Sequence, residues 1–205
     1  MLIERPPKVY RRCFPGVTFR MPPSTDGKPK VYITFDDGPI PEATPMVLDI
    51  LDRFDVKATF FMVGQNVERY PWLLEEVIKR GHKAANHTHR HIRGRGISPA
   101  DYLKDVDECR KLTRSDLFRP PHGWMTGSQL REVKKHYRVV MFDLVTRDYS
   151  KLIDTDRIVR NVKKYARDGA IIVFHDSLKS CEKLERALPA SLRWLKDNGY
   201  QFELL

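Results

Sequence analysis

From residue 30 onward, short runs of β-branched and aromatic residues alternate with longer stretches in which apolar residues recur every three or four positions. The short runs predict strands and the long ones amphipathic helices. Strands are expected over 30–35, 58–63, 82–86, 117–119, 138–144, 170–174 and 200–205. Helices are expected over 43–54, where Val47, Ile50, Leu51 and Phe54 share a face, and over 66–80, closed by Gly81. The helix near 98–113 announces itself with a Ser98 cap, Pro99 at the first helical position and Asp101 at the third. Another opens with the Thr126-x-x-Gln129 capping pattern and runs to about 137. The last two cover 154–167 and 182–197, the latter expected to kink or split at Pro189. Residues 170–174 are continuously apolar, as in a strand buried on both faces.

Strands alternating with helices imply a parallel sheet, because each crossover must return over a sheet face. About seven such units suit either a barrel or an open doubly wound sheet. The polar residues choose between them. Asp36-Asp37, His87, Arg119 and His175 all fall at C-terminal strand ends, with Asp148 shortly after the fifth strand. Only a barrel brings so many strand ends to one mouth. The fold class is therefore α/β, with about seven parallel strands in a TIM-like (β/α) barrel. Residues 1–29 hold six prolines and read as a basic arm lying over the domain, with one helical turn near 9–14. Residues 30–205 form the domain proper.

Composition narrows the picture. With 41% hydrophobic and 31% charged residues the chain reads as a globular domain, and no run approaches the roughly 18 apolar residues of a membrane span. The stretch from Met1 to Pro7 has no apolar h-region, which reads as the absence of a signal peptide and points to the cytoplasm; a signal removed earlier would point to the cell envelope. Cys13, Cys109 and Cys181 are distant and odd in number, so separate reduced thiols are expected. The formal charge of +10 is spread in short clusters. A solvated basic surface is the expectation, with no specific nucleic acid partner, although the loop 90–96 could grip an anionic glycan.

The chemistry lies in two stretches. Val31 to Phe35 delivers the chain to two adjacent carboxylates, Asp36 and Asp37, and a Gly38-Pro39 break. Two neighbouring acids make sense where a cation is shared or where one acts as a base. His87 and His91 are four apart, so in a helical turn both rings would project from one face as metal ligands do, with His89 pointing away and given no role. Two histidines and one carboxylate leave positions open for water and substrate, whether around zinc or non-haem iron.

Five segments in order, Thr34-Phe35-Asp36-Asp37-Gly38-Pro39, His87-Thr88-x-x-His91, Arg119-Pro120-Pro121-His122-Gly123, Asp148-Tyr149 and Val173-Phe174-His175-Asp176, resemble the motif set of the polysaccharide deacetylases, the fourth carbohydrate esterase family. The resemblance runs from about residue 30 to the end. It implies a distorted, incomplete barrel and a hydrolase that removes N-acetyl groups from GlcNAc-containing, peptidoglycan- or chitin-like glycans. It implies a divalent metal, zinc first with Co, Ni, Mn or Fe as substitutes, on Asp37, His87 and His91. It makes Asp36 the general base towards water at the metal, paired with Arg119, and His175 the general acid, oriented by Asp148. The main-chain N–H of His122 would receive the oxyanion. His122 itself departs from the family pattern, which usually carries an aromatic there; Trp124 and Tyr149 are the candidates for a groove wall in its place. Two alternatives stand beside this reading: the same fold acting on another amide or on acetate esters such as acetyl-xylan, and a non-catalytic glycan or polyanion binder.

Overall fold

The computed structural model describes residues 4–205; residues 1–3 of the arm lie outside the described residues. Eight strands form one parallel sheet: β1 (Lys30–Asp36), β2 (Thr59–Met62), β3 (Lys83–Asn86), β4 (Leu117–Phe118), β5 (Arg138–Val139), β6 (Leu144–Val145), β7 (Ala170–His175) and β8 (Gln201–Phe202). Their order is β5-β4-β3-β2-β1-β7-β6, with β8 on the first residues of β1. The sheet curls into the expected incomplete barrel, open between β5 and β6. The helices are α1 (Lys8–Arg12), α2 (Thr44–Arg53), α3 (Gly64–Arg69), α4 (Pro71–Lys79), α5 (Pro99–Thr113), α6 (Gly127–Val133), α7 (Thr155–Tyr165) and α8 (Cys181–Asp197). None is long and apolar enough to cross a membrane.

Strand parity sets the layers. Successive side chains point to opposite faces, and Val31, Ile33, Phe35, Phe60, Met62, Ile172 and Phe174 pack against apolar residues of α2, α7 and α8. The other parity, Tyr32, Phe61, Ala85, Leu117 and Ile171, fills the inside of the curl. Continued to the strand ends, the inner parity reaches Asp36, His87, Arg119 and His175. Register brings Asp36 directly beside His175. The barrel thus delivers its polar residues inward at one end.

Three elements differ from the sequence pattern. The helix expected over 66–80 is two: Tyr70 leaves the helical region (φ −132°, ψ 58°) and Pro71 starts α4, as the restriction on a residue before proline demands. Conversely, α8 runs through Pro189 as one helix. Glu185, whose carbonyl loses its partner there, lies on the exposed side, where water can serve it. The largest difference is 138–144. Instead of one strand, the chain pairs with β4 at one edge, leaves the sheet, and rejoins at the other edge on β7. Both Ser98 and Thr126 cap their helices as the sequence predicts, although α6 ends at Val133 rather than 137.

The N-terminal segment follows this seam. The Thr18 amide donates to Val139, the Met141 amide to Thr18, the Met21 amide to Gly169 and the Val145 amide to Glu4. Asp143, fully buried, pins the segment: Arg11 lies at 2.7 Å, Arg5 at 3.6 Å, and Arg167 from the sheet side at 2.6 Å. Removing one partner of a buried pair costs more than a surface pair is worth. Asp143→Ala is therefore expected to destabilise the protein by about 3 kcal/mol, read as a lower urea midpoint, and to open residues 4–23 to limited proteolysis.

Candidate active site

The first acidic pair sits where β1 ends. Asp36 remains in the strand, whereas Asp37 turns out at φ 82°. That left-handed turn is held by Asn66, whose side-chain amide donates to the Asp37 carbonyl at 2.8 Å. Gly38 follows against Asp176: a Cβ there would lie 2.0 Å from a carboxylate oxygen, so no other residue fits. Asp176 accepts from the Gly38 amide and from the Thr44 hydroxyl. Burial pushes its carboxyl up to about 8. The two acids are thus separated by backbone conformation and face different partners.

Asp36 meets Arg119. The guanidinium lies 2.6 Å from the Asp36 carboxylate and 2.9 Å from the Thr34 hydroxyl, and it donates to the carbonyls of Val140 and Met141. It stacks over Phe61 at 4.0 Å. The Arg119 main-chain carbonyl, in turn, accepts from His87 Nδ1 at 2.8 Å. A carbonyl can only accept, so Nδ1 carries the proton and Nε2 presents a lone pair. Burial pulls the His87 pKa down to about 4, which keeps the ring neutral.

His87 Nε2 lies 3.6 Å from Asp37 and His91 Nε2 3.0 Å. The three ligand atoms fall within 4.8 Å of one another. Burial opposes the charge on Asp37, yet the hydrogen bond from His91 and the charge of nearby His175 hold it well below the usual carboxylate range. A neutral buried imidazole with its lone pair aimed at a carboxylate and a second imidazole is a donor set that fits a divalent ion. The two histidines come together through a loop, not the expected helical turn: Thr88 and His91 both have positive φ. Asn86 accepts from the Thr88 amide, and buried Asp105 of α5 accepts from the amides of His89 and Arg90. His89 turns toward Glu68, away from the cluster.

The second pair closes the site. His175 Nδ1 lies 2.8 Å from Asp148, whose other oxygen takes the His175 amide. Burial disfavours the imidazolium, but the Asp148 carboxylate outweighs it and raises His175 to about 9. Tyr149 packs edge-on against the ring at 4.7 Å.

One cavity of about 500 Å³ joins these groups. It is lined by Asp36, Asp37, His87, His91, His122, Tyr149 and His175, with Arg93, Arg147 and Lys179 adding positive charge. Trp124 is partly exposed and does not line it. The His122 ring stands edge-on to His91 at 4.8 Å. Sequence reasoning missed Asn66, Asn86, Asp105 and Asp176, whose work is to hold backbone, and it missed the N-terminal Pro6, Pro7 and Tyr10, which also line the cavity. Asn86, beside His87, and Asp176, beside His175 in the fifth motif, each stood next to a residue already singled out.

The comparisons agree with this geometry. The sequence model described as Polysaccharide deacetylase matches residues 24–140. A peptidoglycan-N-acetylglucosamine deacetylase of Bacillus cereus is 35% identical over 84% of this chain and 84% of its own. A chitooligosaccharide deacetylase of Bradyrhizobium sp. is 32% identical over 87% and 90%. Among solved structures, the Bc1960 peptidoglycan N-acetylglucosamine deacetylase superposes with a TM-score of 0.87 at 27% identity, over 98% of this chain and 95% of that one. A family 4 carbohydrate esterase from Streptomyces lividans in complex with acetate gives 0.79 at 25%, over 86% and 92%. With the motif residues gathered in one cavity and more than half of the sequence matched, the chain belongs to the polysaccharide deacetylase family, family 4 of the carbohydrate esterases.

Proposed function

We propose that the protein is a metal-dependent deacetylase of GlcNAc-containing glycans. The observation that carries this reading is the Asp37-His87-His91 cluster sharing a cavity with Asp36 and His175, the first paired behind it with Arg119 and the second with Asp148. A divalent ion held by that cluster, zinc in the first instance, supplies Lewis-acid chemistry, polarising the acetamide carbonyl and acidifying water. The protein's own groups do the rest. Asp36, oriented by Arg119, takes the proton of the attacking water. In the Pro121–Gly123 turn Pro121 has no N–H, and the amides of Gly123 and Trp124 are donated to Pro120 and Pro121. That leaves the His122 amide as the main-chain donor for the oxyanion. His175, held as imidazolium by Asp148, protonates the leaving amine, so acetate and a free amino sugar result. The positive charge from Arg93, Arg147 and Lys179 suits peptidoglycan fragments that carry carboxylates.

Chelation of the protein should abolish acetate release from N-acetylated oligosaccharides or peptidoglycan fragments, and added Zn²⁺ should restore it. Failure on all such substrates with metal bound would remove the glycan from this reading. Asp37→Ala is expected to lose metal by elemental analysis, whereas Asp36→Asn keeps the metal and loses about 100-fold or more in kcat. Equal metal loss in both would reverse the assignment of the two acids.

The acid must carry its proton, so activity should fall as pH rises through about 9, the value to which His175 is raised. The same sign holds for stability: the contribution of the charged pair is fully present below about 6.5 and lost as pH rises through the folded value. Asp148→Asn removes the raising partner, and the alkaline limb of kcat/KM is expected to move down by at least about one unit. An unmoved limb would show that another group titrates there.

A further inference from the structure

The N-terminal segment enters the cavity with Pro6, Pro7 and Tyr10, all ahead of residue 24, where the family match begins. Its course is fixed by the Asp143 pins and by ring packing, Tyr10 lying 5.1 Å from Phe14 and 6.0 Å, edge-on, from Phe19. There the Tyr10 hydroxyl donates to the main-chain carbonyl of Gly123.

That carbonyl belongs to the third-motif turn. His122 has φ 59° and Gly123 φ 65°. A left-handed conformation is costly for a residue with a Cβ, so at His122 the surroundings must impose it. The near end of the turn closes through the Gly123 amide, which donates to Pro120 at 3.1 Å. The far end is closed by Tyr10. Gly123 is also enclosed from the side: a Cβ would stand 3.1 Å from the Phe142 ring and 3.2 Å from the Tyr10 oxygen. Burial pushes the Tyr10 hydroxyl up to about 12, so it remains a donor over the working range.

We propose that Tyr10 is a positioning residue for the main-chain donor at His122: by holding the Gly123 carbonyl, it fixes the left-handed turn that aims the His122 amide into the cavity. The proposal rests on the assignment of that amide to the oxyanion. It makes the N-terminal segment part of the active site, although every group taken to act on substrate lies beyond residue 35. Tyr10 touches no reacting atom. Its effect should therefore appear in turnover more than in substrate affinity, since the tetrahedral oxyanion needs the donor's aim more than the ground-state carbonyl does.

The test is Tyr10→Phe, which keeps the ring and removes only the hydroxyl. Steady-state kinetics on an N-acetylated chitooligosaccharide should show kcat lower by about five- to tenfold with KM within about twofold, the size expected for one lost hydrogen bond. Hydrogen exchange, which needs no substrate, should quicken at the Gly123 and Trp124 amides. Val106→Ala, a cavity variant in the same apolar cluster, controls for stability: it should lower the melting temperature and leave kcat within about twofold. An unchanged kcat in Tyr10→Phe overturns the proposal, and so does an equal loss of kcat in Val106→Ala. A wild type that releases no acetate overturns the deacetylase reading instead, and unchanged exchange in Tyr10→Phe would still refute the positioning by itself.

Discussion

A guanidinium with 1% of its surface exposed holds this molecule's working end together. Burying a charge is costly unless it is paired and its donors are satisfied. Arg119 meets the condition with one carboxylate, one hydroxyl, two main-chain carbonyls and an aromatic face. Each partner belongs to a different requirement. Asp36 and Thr34 fix the end of β1, Val140 and Met141 are the backbone that crosses the open seam, and Phe61 belongs to the interior. The carbonyl of the same residue sets the proton on His87. A lysine could serve one or two of these partners, but its compact ammonium cannot span all of them.

Around that anchor the site separates its charges. Asp36 and Asp37 are neighbours in sequence, yet the left-handed turn at Asp37 sends one to Arg119 and the other to the histidines. His87 and His175 are both buried at strand ends, and their environments drive them in opposite directions: His87 lies against a carbonyl and beside another imidazole, whereas His175 lies against a carboxylate. Two histidines with pKa values pushed apart suit two tasks, one as a neutral ligand and one as a proton carrier.

Much of this was legible in the sequence because strand ends and caps are local signals. The C-terminal ends of β1 and β7 already placed Asp36 and His175 at one mouth of the barrel, and the Ser98 and Thr126 patterns announced their helices. What escaped depends on partners distant in sequence. Nothing local to 138–144 reveals that its apolar residues serve both edges of a curled sheet. The spacing of His87 and His91 suggested a helix, but Asn86 and Asp105 draw that backbone into a loop. Trp124 looked like a groove wall from its neighbours, whereas the turn leaves it outside the cavity. Tyr10 carries no motif at all; its hydroxyl finds Gly123 across 113 positions of sequence.

The seam between β5 and β6 bears on how the chain reaches its fold. The segment that covers it precedes every strand of the sheet in the chain, but its pins, Asp143 and Arg167, and the Gly169 carbonyl that receives the Met21 amide come some 130 to 150 residues later. Contacts of such separation carry a large loop-closure cost and form late. During synthesis, therefore, these residues must wait in solvent, with Phe14 and Phe19 uncovered, until the apolar residues between Tyr102 and Met141 that pack with them have emerged. Their proline content keeps that waiting segment from settling into a helix or a central strand of its own, so it remains available to close the barrel last.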